Sequence, residues 1–384
     1  MSDCSYALGI PLFTSRFVKN NTMCYLCERE VTQNLGLIGD DLSSSVMAMS
    51  KDVIPTDVLI GPSNVRFSKH HVGTDDVMDL YLHASGGAVQ VNAMGFQQTI
   101  QSIPISDQDQ NFIQTMVNKL DSIIDLDFLF VDVPLHADTS FYYDQEIEIE
   151  GSEGTTLGLA APDSNHGWEL YINYPEVKNL SLDYRQFVIV HEWGHSLGLE
   201  HPFNGSDGDV FANTTDPNSS AFPEQTVMSY RQPTSGSFPN FFTLSDLNAL
   251  IEIWGAEPQW LTPLDDNFVG ADYREVVHGG DGNDILKGEG GNDFLDGGLE
   301  GDILAGGEGA DVFRLSPGND LILDYSYESG DLIDGNGYTF TISEVHSMGV
   351  ANMQIETPFG TTTLYNVSAD EFSSAFYYDM TMIS

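Results

Sequence analysis

From Gly279 to Arg314 the chain repeats every nine residues in the phase G-G-x-G-x-D-x-U-x, where U is a large apolar residue. Four copies are legible, 279–287, 288–296, 297–305 and 306–314. Asp284, Asp293, Asp302 and Asp311 hold the acidic position, and Leu286, Leu295, Leu304 and Phe313 hold U. One large apolar side chain per nine residues is too little to close a core within a single copy, so the copies must stack on one another. The glycines serve turns whose backbone aims carbonyls inward at dihedrals that a Cβ disfavours. Two copies depart from the pattern, with Glu289 and Glu300 standing where it has glycine. A flexible Gly/Asp linker would explain the composition but not the phase.

The repeat resembles the RTX nonapeptide. That resemblance implies an all-β parallel β-roll with two repeats per coil, in which turn carbonyls and the four aspartates surround Ca²⁺ and the U residues fill the core. Glu289 and Glu300 lead us to expect fewer ions than an unbroken array would hold. Beyond the repeats, Asp320, Asp324, Asp331 and Asp334 with Ile322 and Ile333 resemble the cap of such a roll, and a sandwich-like tail is expected after them.

A second feature carries chemistry. Residues 191–201 read H-E-x-x-H-x-x-G-x-x-H. Positions four apart share a helix face, so His191 and His195 can reach one ion. A straight helix cannot add a third imidazole six residues further on. Gly198 can end the helix in a left-handed conformation and swing His201 back. Three imidazoles leave the fourth position of a tetrahedral Zn²⁺ open for water, and Glu192 lies on the same side to take a proton from it.

This extended motif, followed by Val227-Met228-Ser229-Tyr230, resembles the metzincin metalloproteases, and Pro202 and Tyr230 resemble the serralysin branch. The resemblance implies zinc held by His191, His195 and His201. It also implies Glu192 as general base, and Tyr230 as a switchable fifth ligand that stabilises the oxyanion. Thr156 to Ala161 would be an edge strand that pairs with substrate. Trp193 is bulkier than the aliphatic residue usual there, which points to altered packing behind the helix. The expected fold class is an α+β metzincin zinc-protease domain followed by the all-β parallel RTX β-roll. The expected activity is that of a zinc metalloendopeptidase acting on protein or peptide substrates. Two rivals are a calcium-dependent surface or adhesion protein without catalysis, and a processing protease with one protein target.

Patterning along the chain predicts strands at Val77 to Leu82, Ala88 to Val91, Phe128 to Val133, Glu146 to Glu150 and Thr155 to Ala161, the last closed by Pro162. A helix is expected after Ser106 with Phe112, Ile113, Met116, Val117, Leu120, Ile123 and Ile124 at helical spacing. The zinc helix should start after Ser181 and run to about Leu199. A last helix should open at Thr243 to Asp246 and stop at Gly255. His70, His71, His83, His136 and His166 lack spaced partners and are read as surface or structural. The domain reading is 1–55 as an extension or propeptide, 56–262 as the catalytic domain, and 263–384 as the roll with a C-terminal secretion signal.

Thirteen basic against 58 acidic residues give a formal charge of −45, which argues against nucleic acid and favours cations as partners. The three cysteines, Cys4, Cys24 and Cys27, all precede residue 28, so neither expected folded domain depends on disulfides. Cys24 and Cys27 form a C-x-x-C pair, open to half a metal site, a redox pair, a local disulfide or no special role. Cys4 or Cys24 could also cap the zinc, as a propeptide thiolate does in some metzincins, although the surrounding sequence of that switch is missing. No cleavable secretory signal is legible, and no stretch approaches the roughly 20 apolar residues of a membrane helix. A secreted, extracellular monomer is expected. Its export would use type I secretion machinery, with Asp379 to Ser384 compatible with the uncleaved signal that route reads.

Overall fold

The computed structural model describes residues 16–17, 53–92, 97–145, 148–149, 156–163, 167–347 and 349–372. Cys4, Cys24, Cys27, His166, Asp379 to Ser384 and most of the strand expected at Glu146 to Glu150 lie outside the described residues. The chain divides into two compact units, one of residues 1–118 and 127–246, the other of 119–126 and 247–384. No described helix is long and apolar enough to cross a membrane.

In the first unit, a mixed sheet runs in the order Asp127–Phe130, Val77–Leu82, Thr139–Asp144, Gly167–Asn173, Gly158–Asp163. The first four strands are parallel, and Gly158–Asp163 lies antiparallel at the edge. Gly87–Val91 and Gln98–Ile103 form a hairpin that joins the far end of Thr139–Asp144. All residues of Thr139–Asp144 and Gly167–Asn173 are buried, so both faces of the sheet centre are covered. Buried strands lose the apolar-polar alternation, which is why these two were not legible as strands. Pro162 does not end its strand; it lies within Gly158–Asp163, at a sheet edge where a missing N–H costs little.

Helix α1 (Pro62–Val72) was not anticipated, because it is polar along most of its length and buries only Ser68 and Val72. Ser68 explains its place: the hydroxyl donates to the carbonyl of Ser196 at 2.7 Å and accepts from Trp168 Nε1 at 3.0 Å. Helix α2 (Asp107–Asp121) begins as expected, with Ser106 Oγ accepting from Asp109 N at 3.2 Å. A single-turn helix, α3 (Tyr174–Val177), precedes α4 (Leu182–Ser196). Ser181 occupies the N-cap of α4, yet its side chain makes no cap hydrogen bond. Asp183 in the first turn instead accepts from Phe238 N at 2.8 Å. The last helix, α5 (Leu244–Trp254), spans the 246/247 division and ends at Gly255, whose φ is 98°.

In the second unit, short strands pair in parallel at intervals of 18 residues, widened to 20 at the step from Val312–Arg314 to Leu332–Asp334. One sheet aligns Pro258–Trp260, Val276–His278, Phe294–Asp296, Val312–Arg314 and Leu332–Asp334, and the other begins Asn267–Val269, Ile285–Lys287, Ile303–Ala305, Asn319–Ile322. This register is a parallel roll with two nonapeptides per coil. Leu286, Leu295, Leu304 and Phe313 are at most 1% exposed and form its core with Val277 and Ile322. The coil starts ahead of the legible repeats. Phe268 and Val277 continue the nine-residue phase backward from Leu286, although the sequence around them lacks the glycine pattern. After the repeats, Thr341–Ser347, Val350–Thr357 and Gly360–Leu364 do not form a separate sandwich. They extend the second sheet through pairing of Asn319–Ile322 with Gly360–Leu364.

Candidate metal and catalytic site

Helix α4 presents His191 and His195 one turn apart, and it stops at Ser196 rather than Leu199. Gly198 then takes φ of 112°, the left-handed turn a Cβ would disfavour. Backbone bonds from the segment before α1 hold this turn: Gly61 N donates to Gly198 O at 2.9 Å and Glu200 N donates to Leu59 O at 2.8 Å. His201 is thereby returned to the helix. The three Nε2 atoms form a near-equilateral triangle, 3.3 Å for His191–His195 and 3.2 Å for the two pairs with His201.

The chemistry of these nitrogens fits a cation. His191 Nδ1–H donates to Val227 O at 2.7 Å, and His195 Nδ1–H donates to Leu199 O at 2.9 Å. In a neutral imidazole the other nitrogen then carries a lone pair. Burial, reinforced for His191 and His201 by neighbouring imidazoles, lowers the pKa of all three, for His195 to about 4. The Nε2 lone pairs of His191 and His195 therefore face one another, with His201 Nε2 beside both. Two nitrogens each about 2.0–2.1 Å from a tetrahedral zinc lie about 3.3–3.4 Å apart, close to the spacing seen.

Glu192 is fully buried, and neither carboxylate oxygen has a well-formed hydrogen bond. Burial pushes its pKa well above the usual carboxylate range, opposed in part by the Ala160 N–H. The carboxylate lies against Gly158 of the edge strand. Tyr230 is placed beside the triad, its ring 4.6 Å from that of His201 and 5.8 Å from that of His191. Met228 is buried beneath the helix, with its Sδ packed against Gly194. Trp193 faces away from the imidazoles and is 0% exposed, its ring packed between Phe128 and Phe242.

Three residues of this site escaped the sequence reading. Asp246 is buried and accepts from Thr226 Oγ1, Val227 N and Thr243 N, at 2.5, 2.9 and 2.9 Å. It thus anchors the turn whose Val227 carbonyl orients His191, an indirect bracing typical of metal sites. Phe203 stacks on His201 with ring centroids 4.9 Å apart. Arg231 steadies the segment after Tyr230 by donating to Ser220 O at 2.8 Å while covering the Phe222 ring. Only the Asp246 position carried a signal, as the acid in the first turn of α5.

In the roll, Asp284, Asp293, Asp302 and Asp311 repeat one arrangement. The Oδ1 atom of each accepts from the backbone N–H of a residue 18 positions earlier, at 2.8–2.9 Å. The Oδ2 atom of each is buried without a partner. At Gly279 an added Cβ would collide with Asp284 Oδ2 and with the Gly297 carbonyl, and Gly288 stands likewise between Asp293 Oδ2 and the Gly306 carbonyl. Carboxylate and carbonyl oxygens thus converge where a side chain is excluded, a donor set suited to Ca²⁺. Burial, with neighbouring carboxylates, raises Asp293 and Asp302 to about 7. Glu289 and Glu300 keep the left-handed backbone of the glycines they replace, with φ of 71° and 72°. Glu300 also accepts from Gly282 N at 3.0 Å.

Comparison with known proteins bears on this second unit. The family described as RTX calcium-binding nonapeptide repeat (4 copies) matches residues 269–304 and 297–323. Among solved structures, the AlgE6R3 subunit of the Azotobacter vinelandii mannuronan C5-epimerase is 30% identical over 32% of this chain and 85% of that one, with a TM-score of 0.24. No curated protein matches the chain. Residues 269–323 are RTX calcium-binding repeats, wound here as a parallel β-roll.

Proposed function

We propose that residues 56–262 form a zinc-dependent endopeptidase of the serralysin type, exported together with its calcium-binding roll. One observation carries this reading: three imidazole Nε2 atoms gathered around a common point, with, on the same helix as two of them, a buried carboxylate that has no well-formed hydrogen bond. An ordinary packed core has no use for that juxtaposition, which gathers three imidazole nitrogens around one point and buries a carboxylate beside them.

His191, His195 and His201 would hold the ion, with Tyr230 adjacent. Bound zinc would supply a Lewis acid for the scissile carbonyl and lower the pKa of water to about 7. The Glu192 carboxylate takes the proton that the attacking water loses, then delivers it to the departing amine. The Tyr230 hydroxyl donates to the developing oxyanion, a role open to a phenol. Strand Gly158–Asp163, outermost among the described strands of its sheet, offers backbone groups to an extended protein or peptide substrate and carries Gly158 against the base.

Calcium-coupled folding suits passage through a type I channel, because the roll would stay unfolded where calcium is scarce and fold outside the cell. Casein zymography with and without 1,10-phenanthroline tests the proposal. A cleared band that the chelator abolishes and added zinc restores is expected. Absence of clearing at any zinc concentration would overturn it in favour of a calcium-dependent surface protein.

A further inference from the structure

The turn that returns His201 runs on into Asn204-Gly205-Ser206-Asp207-Gly208-Asp209, which gathers acid at a place the peptidase chemistry does not use. One carboxylate oxygen from each of Glu200, Asp207 and Asp209 lies within 4.8 Å of the others. Gly208 makes this possible. Its φ of 111° reverses the chain between the two aspartates, which lets both approach Glu200.

Glu200 is 6% exposed, and its Oε2 accepts from Asn204 Nδ2. Its Oε1 is buried with no partner, and so is Asp209 Oδ1. Among the described residues no Lys, Arg or His forms an ion pair with any of the three acids. Like charges held this close repel, and buried carboxylate oxygens without donors are costly. One shared proton would relieve a single contact. A cation would satisfy both buried oxygens and the repulsion at once.

We propose that Glu200, Asp207 and Asp209 form a calcium site of their own, separate from the repeats, that fixes the loop carrying His201. The donors are all hard oxygens on a flexible loop, which suits Ca²⁺ better than zinc, whose usual partners are nitrogen and sulfur. Asp207 is exposed, leaving room for water to complete the coordination. The site does not depend on the zinc reading, since it shares no ligand with the histidines.

Equilibrium dialysis of the full chain against ⁴⁵Ca²⁺ tests it by difference. Asp207→Asn removes an exposed ligand and leaves buried Glu200 and half-buried Asp209 in place, so the fold should survive. One ion per chain should weaken at least tenfold while the remaining ions keep their affinities. Glu200→Gln should remove that same ion, with the repeats again unaffected. Unchanged number and affinities in both variants would overturn the site and leave the cluster as carboxyls sharing a proton. Equal weakening of all the ions would overturn it too, because the acids would then act only through the general fold.

Discussion

The Glu192 carboxylate occupies the space that a side chain at Gly158 would need: a Cβ built there would lie 2.5 Å from Oε1 and 2.7 Å from Cγ. The glycine is required for room, since its φ is not in the left-handed range. Sheet edge and helix are thus fitted to each other at the proposed general base. Gly158→Ala should push the carboxylate aside. A displacement near 1 Å is enough to lower kcat by about 10²-fold. Zinc content, set by the imidazoles, should stay at one ion. Steady-state kinetics beside metal analysis would check this, and wild-type turnover in the variant would show that the carboxylate has no fixed role.

Glu192→Ala separates binding from chemistry more directly. Zinc should be retained, because the three imidazoles are untouched, while peptide hydrolysis should fall by roughly 10³-fold or more. Near-normal turnover would falsify the general-base assignment.

Asp246→Ala leaves buried donors of Thr226, Val227 and Thr243 without an acceptor. Each stranded group costs about 1–3 kcal/mol, so a clear drop in thermal midpoint is expected. The Val227 carbonyl that orients His191 loosens with it, and zinc affinity should fall about 10–100-fold. Competition with a chromophoric chelator would read this. Destabilisation with unchanged zinc affinity would confine Asp246 to a structural role.

Removing calcium should unfold the roll in a pH-dependent way. Burial raises Asp293 and Asp302 to about 7 and Asp320 to about 6 in the folded form, against an ordinary value of 3.8. Without calcium the folded roll therefore binds protons that the unfolded chain releases. Its stability is greatest below about pH 4 and is lost as pH rises through 7. Thermal melts of calcium-free protein by circular dichroism should show the roll more stable at pH 5 than at pH 8. With millimolar calcium the order should reverse, because the ion needs deprotonated carboxylates. A roll equally stable at both pH values without calcium would show that these aspartates do not govern its folding.

Much of the candidate site was legible because local rules wrote it. The spacing of His191 and His195 follows from helix geometry, and Gly198 marks the turn wherever it occurs. The nine-residue phase likewise fixed which side chains line the roll. Other parts gave no local signal. Helix α1 has too little apolar surface for its periodicity to show, and its place depends on Ser68, Trp168 and Ser196, which lie far apart in the chain.

By itself, then, the sequence determined the repeat that must wind as a parallel coil, the side chains in its core and the three histidines that can share one ion. Tertiary structure decided the rest. Gly158 meets Glu192, Asp246 grips the turn behind His191, and Leu59 to Gly61 hold the turn that returns His201. The physical reason is range: periodicity and turn preference act over a few residues, whereas packing and buried hydrogen bonds join residues that only the folded chain brings together.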